Sequence, residues 1–246
     1  EKGQAPDSNE AILYSGGAQH TGVYQSKPLV KLTGIRWKFP IEEGTSCPPL
    51  VHKRIVYFGD WGGYFYAVDV ATGRLKWSAS SGGSVGGPPS VLRETAYWGC
   101  NAGILYAIDI RTGNMKWQFE TDGARDKRDA SICFPPLIHQ GLAYFTSHDK
   151  NLYVVDIISG VLKKKFQAES GMCASPSLFE GLIYFSDWNG NVYCADATTL
   201  KIRWKFKAGK TVYHAPAISN GIAYFSSHDN FVYAVKALTG ELIWRF

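Results

Sequence analysis

The residues of this 246-residue chain that could do chemistry recur at matching places along it. Ser147-His148-Asp149 and Ser227-His228-Asp229 each set an imidazole between a hydroxyl and a carboxylate. Asp60-Trp61-Gly62 and Asp187-Trp188-Asn189 each set an indole beside a carboxylate, and Cys100-Asn101-Ala102 stands at the fifth such place. A second series runs Ser46-Cys47, Gly86-Gly87, Cys133-Phe134, Cys173-Ala174 and Tyr213-His214. Trp and Tyr are favoured at binding hot spots, and aromatic faces stack on sugars or quinones. The candidate binding residues are therefore Trp61, Trp188, His148, His228, Tyr213 and His214, with Asp60 and Asn101 beside them. A plainer account makes Asp149, Asn189 and Asp229 turn formers and lets the His and Trp side chains shield adjacent units. That account is favoured at the hairpins, whereas no turn requires the Tyr213-His214 pair. No catalytic or metal-binding residue is assigned.

A repeat sets these places. A Tyr behind an apolar residue recurs as Tyr57, Tyr97, Tyr144, Tyr184 and Tyr224, at steps of 40, 47, 40 and 40. Nine residues on comes Tyr66, Tyr106, Tyr153, Tyr193 or Tyr233, and eleven further Trp77, Trp117, Lys164, Trp204 or Trp244. Eight residues before each first Tyr stands Pro49, Pro89, Pro136, Pro176 or Pro216. Each copy reads as four short strands joined by Gly-bearing turns, as in sequential hairpins. Between the third and fourth strands runs Asp69-Val70-Ala71-Thr72-Gly73 or its counterpart, where the carboxylate accepts turn N–H groups and Gly takes a positive φ. Leu200 replaces that Gly in the fourth copy, which predicts a different or strained turn there. Lys164 replaces the fourth-strand Trp in the third copy, which predicts a thinner contact between neighbouring sheets. A unit of this length cannot bury both faces of its sheet alone. Radial stacking around an axis does so and leaves only short edges. The fold class is all-β: a β-propeller of four-stranded antiparallel blades.

The pattern, with Tyr57-Phe58-Gly59-Asp60-Trp61 leading through Tyr66-Ala67-Val68-Asp69 and Thr72-Gly73 to Trp77, resembles the pyrroloquinoline-quinone-type (PQQ-like) propeller repeat. The resemblance covers residues 34–246, and Gly17–Val23 is similar to the lead-in before a first blade. It implies W-shaped blades with the first strand of each lining the axis, and a location outside the cytoplasm, periplasmic or extracellular. Residues 1–33 are then a lead-in, and the blades span 46–79, 86–119, 130–166, 173–206 and 213–246. Gly34-Ile35-Arg36-Trp37-Lys38-Phe39 is one extra N-terminal outer strand. A surplus strand points to a piece of a larger polypeptide, a ring of six to eight blades. The alternative is a five-bladed ring with residues 1–40 packed outside.

On such a fold the second-to-third-strand hairpins and the links between blades emerge on one face. The main functional expectation is a non-catalytic scaffold that recognises a protein partner or small ligand there, with no cofactor. The alternative is a PQQ-dependent alcohol dehydrogenase-like quinoprotein or a fragment of one, with PQQ and calcium as cofactors. Such enzymes carry a carboxylate-rich Ca²⁺ site, an Asp base and usually adjacent cysteines, and none of the five cysteines here neighbours another. The motifs of serine hydrolases, zincins, P-loops and attached c-type haem are absent too. Cys133 and Cys173, at equivalent places in neighbouring blades, are expected to be buried free thiols, with a disulfide as the other option. The seven-residue insertion within Glu120–Ser131 carries charges of both signs and is read as a partner-contacting or solvated loop. A net charge of +5, spread thinly, gives no reason to expect nucleic acid, and no apolar stretch is long enough for a membrane helix.

Overall fold

A computed structural model describes residues 34–126 and 129–246. The lead-in at residues 1–33 lies outside the described residues. Twenty strands form five separate four-stranded antiparallel sheets, each ordered as the chain runs. The first blade is β1 (Leu50–His52), β2 (Ile55–Gly59), β3 (Tyr64–Asp69) and β4 (Leu75–Ser80). The second is β5 (Ser90–Leu92), β6 (Thr95–Gly99), β7 (Ile104–Asp109) and β8 (Met115–Glu120). The third is β9 (Leu137–His139), β10 (Leu142–Thr146), β11 (Asn151–Asp156) and β12 (Leu162–Gln167). The fourth is β13 (Ser177–Phe179), β14 (Leu182–Ser186), β15 (Asn191–Asp196) and β16 (Ile202–Lys207), and the fifth is β17 (Ala217–Ser219), β18 (Ile222–Ser226), β19 (Val232–Lys236) and β20 (Leu242–Arg245).

The middle strands of the inner blades are buried on both faces: β11, β14 and β15 expose little or nothing along their length. A strand pressed between two sheets needs no polar side, which is why these segments read as continuous apolar runs. In every blade the third and fourth strands slip register at one place, from Ala67/Val68 in the first to Ala234/Val235 in the fifth. Such a bulge adds right-handed twist, as a radially fanned sheet requires. Four apolar clusters fill the four seams between successive blades.

The outer end of three of the four seams is one repeated lock. The Trp of a fourth strand lies flat on the turn Gly of the next blade, and its indole N–H donates into that turn. Trp77 donates to the Ile110 carbonyl at 2.8 Å, Trp117 to Ile157 at 3.0 Å and Trp204 to Ala237 at 2.8 Å. A Cβ on Gly113, Gly160 or Gly240 would come within 2.6–2.8 Å of the indole above it. The lock needs glycine both for the left-handed backbone, φ 70–78° at these three, and for the space.

Gly34–Phe39 packs on the first blade as an outer strand does. Trp37 donates to the Val70 carbonyl at 2.8 Å and covers Gly73, and Phe39 meets Phe58 and Tyr66 edge-on. It joins no ladder among the described residues. At the other end, Leu242, Ile243, Trp244 and Phe246 of the fifth blade are exposed.

The seam between the third and fourth blades departs from this pattern. The fourth blade keeps the same turn, with the Leu200 N–H on the Asp196 carbonyl at 2.8 Å, but Leu200 sits at φ 58°, a strained conformation for a branched side chain. The contact is not thinner. Leu200 is buried in the seam cluster, and the Lys164 ammonium donates to the Thr198 carbonyl, one residue beyond the carbonyl that an indole takes in the other seams.

Candidate functional site

Each blade builds its loop-face position in the same way. The N–H at the apex of the second hairpin donates to a carbonyl in the link that enters the blade. The bonds are Trp61 to Gly44, Asn101 to Ser84, His148 to Ser131, Trp188 to Gly171 and His228 to Thr211, all at 2.8–3.1 Å. Two residues further along the link stand Ser46, Gly86, Cys133, Cys173 and Tyr213. This places the link side chain beside the apex of its own blade. Trp61 donates its indole N–H to Ser46 Oγ at 3.2 Å, and Tyr213 meets His228 with ring centroids 4.7 Å apart.

Four of the five hairpins are held by a carboxylate, buried in the first and fourth blades and half-buried in the third and fifth. In the Asp-Trp hairpins Asp60 accepts from the Tyr64 N–H and the Tyr66 hydroxyl, and Asp187 from the Asn191 N–H and the Tyr193 hydroxyl. In the Ser-His-Asp hairpins Asp149 and Asp229 accept the Tyr153 and Tyr233 hydroxyls at 2.6 Å. Asp60 is 1% exposed. Its carboxylate is thus committed to the fold. The repeat's second Tyr, spaced by nine, is the partner that these aspartates need.

The third blade carries something the others do not. The insertion after β8 forms a single helical turn, α1 (Asp122–Arg125), capped by Thr121 and bonded through the Gly123 N–H to Asp149 at 2.9 Å. Past it the chain returns with Asp129, whose carboxylate lies 3.1–3.2 Å from His148 Nδ1. His148 Nε2 lies 3.2 Å from Cys133 Sγ, and Cys173 Sγ from the fourth blade completes a group whose three donor atoms lie within 4.8 Å of one another. Trp188 packs edge-on against the His148 ring with centroids 4.6 Å apart. Burial favours the neutral imidazole, but the Cys133 sulfur and the Asp129 carboxylate outweigh it and raise the His148 pKa. The thiols form one coupled pair: the Cys133 thiol, hydrogen-bonded toward Cys173, is pushed up, and the Cys173 thiol is drawn down by the same bond against its own burial. One proton of the pair leaves ahead of the other.

The structure therefore divides the residues singled out from sequence. Trp61, Tyr213, His214, His228 and Asn101 are exposed on the loop face. His214 reaches Phe134 of the third blade, ring centroids 5.5 Å apart. Trp188 and His148 are half-buried against each other, and Asp60 is interior. Cys133 and Cys173 are free thiols, half-buried and not fully enclosed. Sequence reasoning missed Asp129 as the partner of His148, and missed that both cysteines belong with that histidine. Aligning link and apex positions blade by blade would have paired Cys133 with His148. No sequence signal would have brought in Asp129, since it follows an insertion that the other blades lack. Residues 127 and 128 of the insertion lie outside the described residues.

This donor set also bears on PQQ with calcium. Ca²⁺ takes oxygen ligands, six to eight of them. The group that converges among the described residues is two sulfurs and an imidazole, with the one nearby carboxylate turned to the imidazole. This group does not supply the oxygen set that Ca²⁺ takes.

A family model described as outer membrane protein assembly factor BamB matches residues 29–186 and 162–246. No curated protein matches the sequence. Among solved structures, BamB from Moraxella catarrhalis superposes with a TM-score of 0.72 at 19% identity, over 88% of this chain and 66% of that one. The quinohemoprotein alcohol dehydrogenase from Comamonas testosteroni gives 0.80 at 14% identity, over 97% of this chain and 49% of that one. The quinohemoprotein alcohol dehydrogenase ADHIIG from Pseudomonas putida HK5 gives 0.79 at 16%, over 98% and 48%. The chain spans about two thirds of the BamB structure and about half of the dehydrogenases. At these identities the likeness concerns the fold.

Proposed function

Because the chain belongs to the PQQ-like propeller family described by outer membrane assembly factor BamB, we propose that it is a non-catalytic scaffold, working outside the cytoplasm, that recognises a protein segment on its loop face. The observation that carries this reading is the rigid presentation of exposed aromatics there. Trp61 is 54% exposed and Tyr213 41%, yet both stand on backbone fixed by the link-to-apex bonds. A large side chain held still at the surface gives up little entropy on binding, which is how Trp and Tyr come to anchor interfaces. Trp61, Tyr213, His214, His228 and Asn101 form the contact surface in this reading, and Trp188 and His148 support it from beneath.

Photo-crosslinkers placed at 61 and 213, with a control at the exposed Ile158 of the outer turn, test the reading in cells. The scaffold reading expects a discrete adduct from 61 and 213 and none from 158. Titration with PQQ in Ca²⁺ buffer, alongside dye-linked alcohol oxidation, tests the enzyme alternative. Saturable binding with turnover, or equal crosslinking from all three positions, overturns the scaffold reading.

A further inference from the structure

Two thiols and an imidazole converge on the seam between the third and fourth blades, and the scaffold reading has no use for them. We propose that Cys133, His148 and Cys173 form a Zn²⁺ site that ties these two blades together on the loop face. The site goes beyond the scaffold reading and does not depend on it.

Three observations carry it. The donors are of the types Zn²⁺ takes, thiolate sulfur and imidazole nitrogen. Their spacing is close to what the ion needs: tetrahedral Zn²⁺, at ~2.3 Å from sulfur and ~2.0–2.1 Å from nitrogen, holds its donor atoms ~3.5–3.8 Å apart. Here Cys133 Sγ and His148 Nε2 are 3.2 Å apart and all three donor atoms lie within 4.8 Å, so small side-chain rotations suffice. Finally, the far nitrogen of the imidazole is already occupied. His148 Nδ1 lies 3.1 Å from the Asp129 carboxylate, which leaves Nε2 free to ligate. A carboxylate behind the histidine is the usual support of a zinc-bound imidazole. None of the three ligands is fully buried, so water or a donor from a bound partner can supply the fourth ligand.

A nucleophilic reading of Asp129, His148 and Cys133 explains the relay but leaves Cys173 without a role. A disulfide between the cysteines explains the thiols but leaves His148 and Asp129 without one. Zn²⁺ uses all four.

The test uses the protein purified with reductant, stripped with chelator and titrated with Co²⁺ and then Zn²⁺. One equivalent of Co²⁺ is expected to give thiolate-to-cobalt charge-transfer absorption, which one equivalent of Zn²⁺ abolishes. C133S, C173S and H148A should each lose that absorption and weaken Zn²⁺ at least ~100-fold, and D129N should weaken it ~10-fold. C47S, at a buried thiol elsewhere, should leave both unchanged. Zn²⁺ should raise the melting temperature of the wild type and not of C173S, since the ion binds only the folded arrangement. C173S is expected to fold, because Ser46 fills the equivalent place in the first blade. Co²⁺ bound without thiolate absorption, or Zn²⁺ affinity unchanged in C133S and C173S, overturns the site. So does loss of two thiols to a disulfide in freshly purified protein that reduction does not convert to metal binding. Stoichiometric Cu⁺ binding with no uptake of Co²⁺ or Zn²⁺ overturns the zinc assignment.

Discussion

The seam between the third and fourth blades and the seam between the fourth and fifth are built from the same repeat, and they are held differently at both ends. At the outer end of the later seam, Trp204 lies on Gly240 and donates to Ala237. At the outer end of the earlier one, Lys164 and Leu200 stand at the same two places. On the loop face the earlier seam brings Cys173 of the fourth blade to Cys133 and His148 of the third, whereas Tyr213 meets His228 within the fifth blade. At the outer end the two departures from the repeat occupy the two halves of one lock. A Trp over a turn demands Gly beneath it. Once the Trp is Lys, the space is free, and Leu200 fills it at the cost of a left-handed backbone. The ammonium of Lys164 donates into the same turn, to the Thr198 carbonyl one residue beyond the place an indole takes.

The largest expected effect tests whether the Trp–Gly lock is the stronger of the two. Trp204→Ala should cost about 3–5 kcal/mol, as for other buried Trp truncations, while Lys164→Ala should cost less than about 1 kcal/mol. Urea unfolding of both variants measures it, and equal losses would erase the distinction between the seams.

A double-mutant cycle sharpens it. Lys164→Trp should cost about 1–3 kcal/mol, because the ring meets the Leu200 side chain. Leu200→Gly should cost about 2–4 kcal/mol in lost burial, reduced by about 1 kcal/mol of relieved backbone strain. Together they restore the lock, so the double variant should be more stable than the sum predicts by about 1–3 kcal/mol. Additive losses would mean that the two residues are not energetically coupled.

On the loop face the comparison is between two tryptophans in the same Asp-Trp hairpin. Trp188→Ala should lower stability by about 1–2 kcal/mol because the ring packs on His148. Trp61→Ala should change it by less than about 0.5 kcal/mol and act on partner binding instead. Thermal melts read the first, and crosslinking yield at neighbouring positions reads the second.

The smallest effect concerns acid. Asp69, Asp109, Asp156 and Asp196 cap the outer turns, and all four are held below the usual carboxylate range. The Thr72 and Thr199 hydroxyls lead at Asp69 and Asp196, and the Ser159 N–H leads at Asp156. At Asp109 burial opposes the shift and the turn donors outweigh it. A depressed folded value means stability that is present above the unfolded pKa, about 3.9, and lost as pH falls through the folded one. Acid titration of D156N should therefore show a shallower loss below about pH 4 than the wild type. The outer turn of the fifth blade has Lys236 in that place and so lacks this carboxylate. Each contribution is small, because these carboxylates are largely solvated.

Much of the fold was legible because it is periodic. The landmarks Pro49, Tyr57, Tyr66 and Trp77 fix strand order within a blade, and their repetition fixes radial stacking. Less of the site was legible. Trp61 and Tyr213 were found as exposed aromatics at turn positions. Asp60 looked like a site residue but is an interior anchor, because a carboxylate in a hairpin reads the same whether it faces solvent or a tyrosine six residues on in the next strand.

By itself the sequence determined the unit, its four strands and its Asp-x-x-Thr-Gly turns, because these rest on local backbone preference and on apolar faces that one blade cannot bury. It also marked Lys164 and Leu200 as departures. Only the tertiary structure decided that they face each other, and that Cys133, His148, Cys173 and Asp129 meet. Those residues come from two blades and an insertion, and side chains so far apart in the chain are brought together by stacking, which no local pattern encodes.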